Sequence, residues 1–423
     1  MKMLGWANRF NIFCFLDHCG YRFEVPVAES MLAIGGHRHI EAAAGGAFDA
    51  LREFHGRNPG WLFGHFGYDL KNEEGLLTSS HDDGIGFPDL YFFVPEILVI
   101  FRNHSLIIEA EDQLAAEKIF QEICSASPES EKPGSSVKPV SVRQRLTRED
   151  YLRTVEQLKK HIARGDCYEV NFCQEFYLPQ AEIDPLSVYR KLTEVSPNPF
   201  SAFYRIGHRY CLCASPERYL QKRGPGLRSQ PIKGTARRHL YDAARDRLEA
   251  ETLRQSEKER RENVMVVDLV RNDLSRVCES GSVKVDELFG IYSFPQVHQM
   301  ISTVSGTLKS GMHWTEAVSA SFPMGSMTGA PKLRVMQLIE EYERTRRGLF
   351  SGAIGYVNPE GDFDFNVVIR SIFYNSRTKY LSFQTGGAIT IGSDAEQEYA
   401  ECLLKASAIV QVLPGAEKLF TQP

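Results

Sequence analysis

Thr147-Arg-Glu-Asp-Tyr-Leu-Arg-Thr-Val-Glu-Gln-Leu-Lys-Lys-His-Ile-Ala-Arg-Gly165 runs directly into Asp-Cys-Tyr168-Glu-Val-Asn-Phe172, and the apolar spacing changes from helical to alternating within a few residues. Tyr151, Val155, Leu158 and Ile162 fall on one helical stripe. Thr147 has the side chain of an N-cap and Gly165 that of a C-terminal stop. Tyr168, Val170 and Phe172 then alternate as a strand, which turns Glu169 and Asn171 to the opposite, polar face. That face is available to a cleft.

Further strands are expected at 90–93, 97–101, 210–213, 352–356, 367–372 and 380–384, and helices after Ser256, Pro331 and Asp394. Many strands with fewer, long helices predict an α+β, or α/β layered, fold. Residues 125–146 are rich in Ser, Pro, Glu and Lys without apolar periodicity, so a flexible connector is expected there. It would separate an N-terminal part, 1–124, from a C-terminal part, 147–423, that holds the informative segments.

The chain has 423 residues, 43% of them hydrophobic, enough for a sizeable core. A net charge of -5 with no basic stretch argues against a nucleic-acid partner. The mixed run Lys258-Glu259-Arg260-Arg261 reads as a salt-bridged helix face. Nine cysteines, an odd number scattered along the chain, predict reduced thiols and a cytoplasmic enzyme. Cys211 and Cys213 alternate within an apolar strand and are expected to pack in the core. Asn8 and Asn11 interrupt the first apolar residues, so neither a signal peptide nor a membrane helix is expected.

Pro231-Ile-Lys-Gly-Thr235 reads as a proline-opened, glycine-closed turn that presents Lys233 on a stiff backbone. Ser256-x-x-Glu259 and Asp394-x-x-Gln397 are capping boxes, and the helices they open carry Glu259 with Glu262 and Glu398 with Glu401 at i, i+3. Carboxylates from two helices suit a hard divalent cation such as Mg²⁺. No His or Cys spacing suits zinc. Gly325-Ser-Met-Thr-Gly-Ala-Pro-Lys332 is a glycine-rich run into a helix whose first turn is expected to take Pro331, leaving amides for an anion. Gln384-Thr-Gly-Gly387 can bring bare backbone close to a ligand, and Arg370 suits either a bidentate carboxylate contact or a buried ion pair. Residue chemistry alone thus reaches a cleft for a small dianion, a magnesium ion and a poised lysine.

In order along 147–410, Gly165-Asp-Cys-Tyr-Glu-Val-Asn171, Ser215-Pro-Glu217, Pro231 to Thr235, Glu262 to Asp273, His298-Gln-Met-Ile-Ser302, Gly325 to Lys332, Gly352-Ala-Ile-Gly-Tyr356, Ile369-Arg370 and Glu398-x-x-Glu401-x-x-x-Lys405-Ala406 resemble the chorismate-utilising enzyme family. The resemblance implies large β-sheets packed together with helices outside. It implies that Glu259, Glu262, Glu398 and Glu401 surround Mg²⁺, with Glu262 and Glu401 as direct ligands. Arg370, Gly386 and Lys405 would hold the enolpyruvyl carboxylate of chorismate, while Thr235, Ser326 and Thr328 line the pocket. Glu217 would be a general acid, Lys233 a nucleophile and His298 an assistant to loss of the 4-hydroxyl. Lysine at position 233 resembles the branch that adds ammonia at carbon 4, whereas anthranilate-forming relatives usually have alanine there. Glu169 stands where relatives often have glutamine, and Phe350 where many have tyrosine. No amidotransferase segment is evident, so a separate glutamine amidotransferase subunit is the implied source of ammonia. The competing readings are the anthranilate-forming branch and a catalytically idle partner of an amidotransferase.

Overall fold

The computed structural model describes residues 2–21, 28–126, 142–295, 297–413 and 416. Of the expected connector, 127–141 lie outside the described residues. Two long antiparallel strands, Ser30–Ala42 and Leu90–Arg102, form the spine of the sheet. The second of these joins the two short strands expected at 90–93 and 97–101, with a register shift opposite Pro95, which has no N–H to give the ladder.

From this spine the antiparallel ladder runs two ways. One arm passes through Ile12–Asp17, Phe200–Ile206, Arg209–Ser215, Ser371–Asn375 and Tyr380–Ile389 to Glu169–Leu178. The other passes through Leu62–Phe66, Ala353–Val357, Phe363–Asn366, Arg218–Arg223 and Gly226–Gln230 to Val297–Thr307, which Ile232–Arg237 and Lys284–Ser293 also join. Strands of 1–124 therefore hydrogen-bond directly to strands of 147–423.

The two-residue period sorts the first arm's side chains between two cores. Cys14, Ala33, Ala202, Tyr204, Cys211 and Cys213 meet Phe63, Phe66, Leu220 and Phe365 of the second arm. Phe13, Phe15, Leu32, Ile34, Phe203 and Leu212 face the other way, against helices Arg148–Ala163, Pro185–Val195 and Ala395–Val412. The result is sheets packed together with helices outside, the expected layered α+β architecture. All nine cysteines are free, with Cys211 and Cys213 fully buried on one strand face.

The helix–strand pair at 147–172 forms as its spacing predicts, with one displacement. Thr147 Oγ1 accepts the Asp150 N–H at 3.1 Å, and Gly165 takes φ +82° just beyond the helix. Val170 and Phe172 enter the core, but Tyr168 stays outside the strand and 70% exposed. The strand expected at 367–372 is also displaced, to Ser371–Asn375. Residues before it leave the ladder because Val367 N–H donates to Glu217 O at 3.0 Å and Val368 N–H to Gly352 O at 2.8 Å. Arg370 accordingly sits on a bend with φ +51°, a left-handed conformation uncommon for its type.

Candidate active site

Helix Glu257–Val277 buries Val266, Val267, Val270 and Leu274 in the inter-sheet core, whereas Ala395–Val412 buries Cys402, Ala406 and Ile409 in the other. Their N-terminal turns meet over a cleft of about 1080 Å³ whose walls include Asn171, Glu217, Lys233, Thr235, Gln299, Ser326, Arg370 and Gly386. Glu259, Glu262, Glu398, Glu401 and Lys405 line it too, so the structure assembles most of the residues anticipated from sequence.

Lys233 reaches the cleft by a different device from the expected turn. Residues 232–237 form a strand against Val297–Thr307, with a register shift between Ile232 and Thr235 that leaves Lys233 and Gly234 as a bulge. Bulges re-aim side chains. Gly234 takes φ +87°, and a Cβ there would come within 2.9 Å of Glu259 Oε2. Proline and glycine are thus correctly placed punctuation, but the local chain is closed by sheet pairing.

The Lys233 ammonium donates to Glu169 Oε1 at 2.6 Å, and both side chains are buried. Burial alone would lower the lysine pKa, yet the carboxylates of Glu169, Glu262 and Glu217 outweigh it and hold the value above the ordinary one. Lys233 therefore rests as an ammonium. Glu169 Oε2 is buried without a hydrogen-bond partner. The Glu169 backbone pairs with Ala330, and Gly329 (φ +144°) makes this approach feasible: a Cβ on it would meet Glu169 O at 2.1 Å.

Glu217 follows the strand Arg209–Ser215 and is buried, which pushes its carboxyl up to about 7 against the lowering influence of Ser326, Lys233 and Arg370. A carboxylic acid poised near neutrality can give a proton. Arg370 faces it, and among the described residues no hydrogen-bond or ion-pair partner reaches the Arg370 guanidinium; burial lowers its pKa against the pull of Glu217. The alternative of a buried ion-pair role for this arginine is thereby disfavoured.

Both acidic helices take the expected N-cap residues, without the reciprocal bond that would complete a capping box: Ser256 Oγ accepts Glu259 N–H at 3.4 Å and Asp394 Oδ1 accepts Gln397 N–H at 3.0 Å. Burial pushes Glu262 up to about 7, Lys233 opposing and Glu259 adding, and it raises Glu259 as well. Lys258 Nζ lies 3.9 Å from Glu262 Oε1 and 3.5 Å from Glu398 Oε1, so a lysine cation stands among the acids. Glu262 Oε1 is buried with no hydrogen-bond partner. Among the described residues no three His, Cys, Asp or Glu side chains are gathered closely enough to hold a metal ion by themselves. The donors that the two helices bring to the cleft are all carboxylate oxygens, the ligand type of a hard divalent cation. Glu401 accepts from Lys405 at 2.8 Å, which lowers its pKa despite burial, and Lys405 also donates to Gly386 O at 2.8 Å. Gly387 completes the cradle, since a Cβ on it would come within 3.1 Å of Glu398 Oε2.

Three expectations are corrected. Thr328 is fully buried and its hydroxyl donates to Met324 O at 3.2 Å, so it supports the Ser326 loop without lining the cleft. Pro331 is the N-cap of helix Lys332–Tyr342, outside its first turn, and the Lys332 ammonium is tied to Asp273 at 2.7 Å. His298 is 2% exposed and bonded through Nδ1 to Ser293 at 2.8 Å and through Nε2 to Asp246 at 3.2 Å; its neighbours Val297 and Gln299 line the cleft in its place.

Sequence reasoning missed Arg347. Its guanidinium is paired with Glu343 at 2.7 Å and donates to Met327 O and Asn171 O, which ties two walls of the cleft together. The only sequence signal was an i, i+4 charge pair, indistinguishable from a surface one. The role of Glu169 was equally hidden, because its partner lies 64 positions away.

The fold and cleft define a layered α+β enzyme that binds a small anionic ligand beside clustered carboxylates. The chain belongs to the chorismate binding enzyme family, whose family model matches residues 15–411. It is similar to aminodeoxychorismate synthase component 1 of Klebsiella aerogenes, 33% identical over 422 residues covering 94% of this chain and 92% of that protein. It is also similar to aminodeoxychorismate synthase component 1 of Bacillus subtilis, 34% identical over 377 residues covering 85% of this chain and 78% of the relative. Among solved structures, anthranilate synthase component I from Streptococcus pneumoniae superposes with a TM-score of 0.76 at 27% identity, covering 92% and 93% of the two chains.

Proposed function

We propose that this chain is the chorismate-acting component of an aminodeoxychorismate synthase, converting chorismate and ammonia to 4-amino-4-deoxychorismate through a covalent adduct on Lys233. The observation that carries this reading is a lysine aimed into the cleft by a bulge, its ammonium 2.6 Å from a buried carboxylate that can take its proton.

Glu169 Oε1 accepts a proton from Lys233 Nζ, converting a buried ion pair into a neutral amine and a neutral acid. The surrounding carboxylates hold the Lys233 amine above its ordinary value, so a free amine at working pH requires a shift of more than about three units from ~10.4, above roughly 4 kcal/mol, and Glu169 serves as the acceptor for the proton that leaves. The amine adds to carbon 2 of the ring as the carbon 4–oxygen bond breaks, and Glu217 gives its proton so that water leaves. Ammonia adds at carbon 4 and the ammonium so formed gives a proton to Glu217, while the lysine nitrogen is expelled as an amine and takes back the proton held by Glu169. Arg370, Gly386 and Lys405 face the enolpyruvyl carboxylate, with Thr235 and Ser326 along the ring.

Glu259, Glu262, Glu398 and Glu401 would hold Mg²⁺, with Glu262 and Glu401 as direct ligands. The chemistry such an ion supplies is charge neutralisation of the ring carboxylate. A separate glutamine amidotransferase subunit, component II, would supply ammonia in the cytoplasm. The partner role is supported by relatives whose names designate them component 1.

The test is to incubate the purified chain with chorismate, Mg²⁺ and ammonium at mildly alkaline pH and resolve products by mass spectrometry, with and without an added aminodeoxychorismate lyase. Aminodeoxychorismate that the lyase converts to 4-aminobenzoate is expected. Fluorescent anthranilate would replace this reading with the anthranilate-forming one, and no product would leave the idle-partner reading.

A further inference from the structure

The run Lys258-Glu259-Arg260-Arg261, read from sequence as one salt-bridged face, divides between two surroundings. Arg261 pairs with Glu257 at 2.7 Å, both exposed, and the Arg260 guanidinium lies over the Phe289 ring at 4.6 Å. Lys258 instead lines the cleft with Glu259 and Glu262. It stands in the first turn of helix Glu257–Val277, where the positive end of the helix dipole disfavours a cation. The acids of the two helices are what hold its ammonium there.

That hold is loose. Lys258 Nζ lies 3.5 Å from Glu398 Oε1 and 3.9 Å from Glu262 Oε1, one carboxylate from each helix, and its side chain is 49% exposed. The other described lysines of the cleft are fixed more tightly, Lys233 by Glu169 at 2.6 Å and Lys405 by Glu401 and by Gly386 O, each at 2.8 Å. Glu262 Oε1 meanwhile is buried and has no hydrogen-bond partner. Lys258 thus balances the charge of this oxygen without bonding to it.

We propose that Lys258 is a displaceable counter-ion: in the metal-free protein its ammonium occupies the place among Glu262 and Glu398 that a divalent cation takes, and it swings out to solvent as the cation enters. This rests on the metal assignment proposed above. A hard divalent cation meets carboxylate oxygens at about 2.1 Å, so it and an ammonium are alternatives for the same oxygens. The flexible four-carbon stem lets the lysine leave while its helix stays in place. The metal-free cleft is thereby spared part of the repulsion among four carboxylates, and an entering ion has to displace an ion pair, which lowers its affinity.

The experiment compares the wild type with Lys258→Met, which keeps an unbranched side chain and removes the charge. Mg²⁺ binding is measured calorimetrically without chorismate or ammonia, and Tm is measured without metal and at saturating Mg²⁺. The variant should bind Mg²⁺ about 10-fold more tightly, since nothing has to be displaced. Without metal it should melt a few degrees lower than the wild type, and the gap should close at saturation, where the wild-type lysine has already left the acids. In the wild type, acetylation of Lys258, followed by mass spectrometry, should be faster with Mg²⁺ than without. Unchanged or weaker Mg²⁺ binding by the variant, a Tm deficit that persists at saturation, or labelling that does not accelerate would each mean that the lysine stays in place, and would overturn the inference while leaving the metal assignment standing. A wild-type protein that binds no Mg²⁺ would overturn the metal assignment itself, and the counter-ion with it.

Discussion

Lys233 sits among the carboxylates of Glu169, Glu262 and Glu217, so removing it has two separable effects. Lys233→Met should lower turnover by at least about 1000-fold, because the nucleophile is gone. It should also destabilise the protein by roughly 3 kcal/mol, since Glu169 is left buried without its partner. Adding Glu169→Gln to that variant should restore much of the stability and none of the activity, as read by urea denaturation and product assay. Glu217 makes a pH prediction. Its folded pKa, pushed up to about 7 by burial, lies above the ordinary 4.5, so the fold prefers the neutral acid. That contribution is complete below about pH 4.5 and is lost as the pH rises to about 7, a difference of roughly 3 kcal/mol. Glu217→Gln, which cannot ionise, should therefore gain stability over the wild type between pH 4.5 and pH 8. It should also lose about 100-fold or more in turnover. Urea midpoints that shift equally at both pH values would exclude an elevated Glu217 pKa.

At the scale of elements, the cleft depends on close backbone approaches. Gly329→Ala places a Cβ 2.1 Å from Glu169 O at a φ of +144°, so the loop must leave the strand that carries Glu169. Loss of more than about 1 kcal/mol of stability is expected, together with a larger loss of activity than the stability change explains. Wild-type activity in this variant would show that the Glu169–Ala330 pairing does not matter. The two acidic helices converge through opposite cores, and Lys258, Lys405 and Lys233 offset part of their like charge. Mg²⁺ should accordingly raise the Tm, and a chelator should abolish turnover reversibly. Full activity after exhaustive chelation would remove the metal from the mechanism.

Over the whole molecule, the cleft is lined by residues from 171 to 408, yet it cannot be separated from the N-terminal part. Ile12–Asp17 pairs with Phe200–Ile206, and Leu62–Phe66 pairs with Ala353–Val357. A fragment beginning at residue 147 would expose two unpaired strand edges and half of the inter-sheet core. It should fail to fold, as circular dichroism and urea titration would reveal. Much of this architecture was legible in sequence where the physics is local. Thr147 caps its helix, Val170 and Phe172 alternate into the core, and Ser256 and Asp394 open the helices that carry the four glutamates. The ordered motifs were enough to place Lys233, Glu217 and Arg370 in one cleft. Local pattern was silent where strands from distant parts of the chain pair. Sheet pairing turned the expected turn at Lys233 into a bulge, drew residues 367–370 out of their strand, and set Glu169 against a lysine 64 positions away. It also decided that Gln299, and not its neighbour His298, is among the residues lining the cleft. Periods and caps belong to a residue and its near neighbours, so sequence alone determined the elements and their chemistry; which faces meet depends on register between strands remote in the chain, and only the tertiary structure determined that.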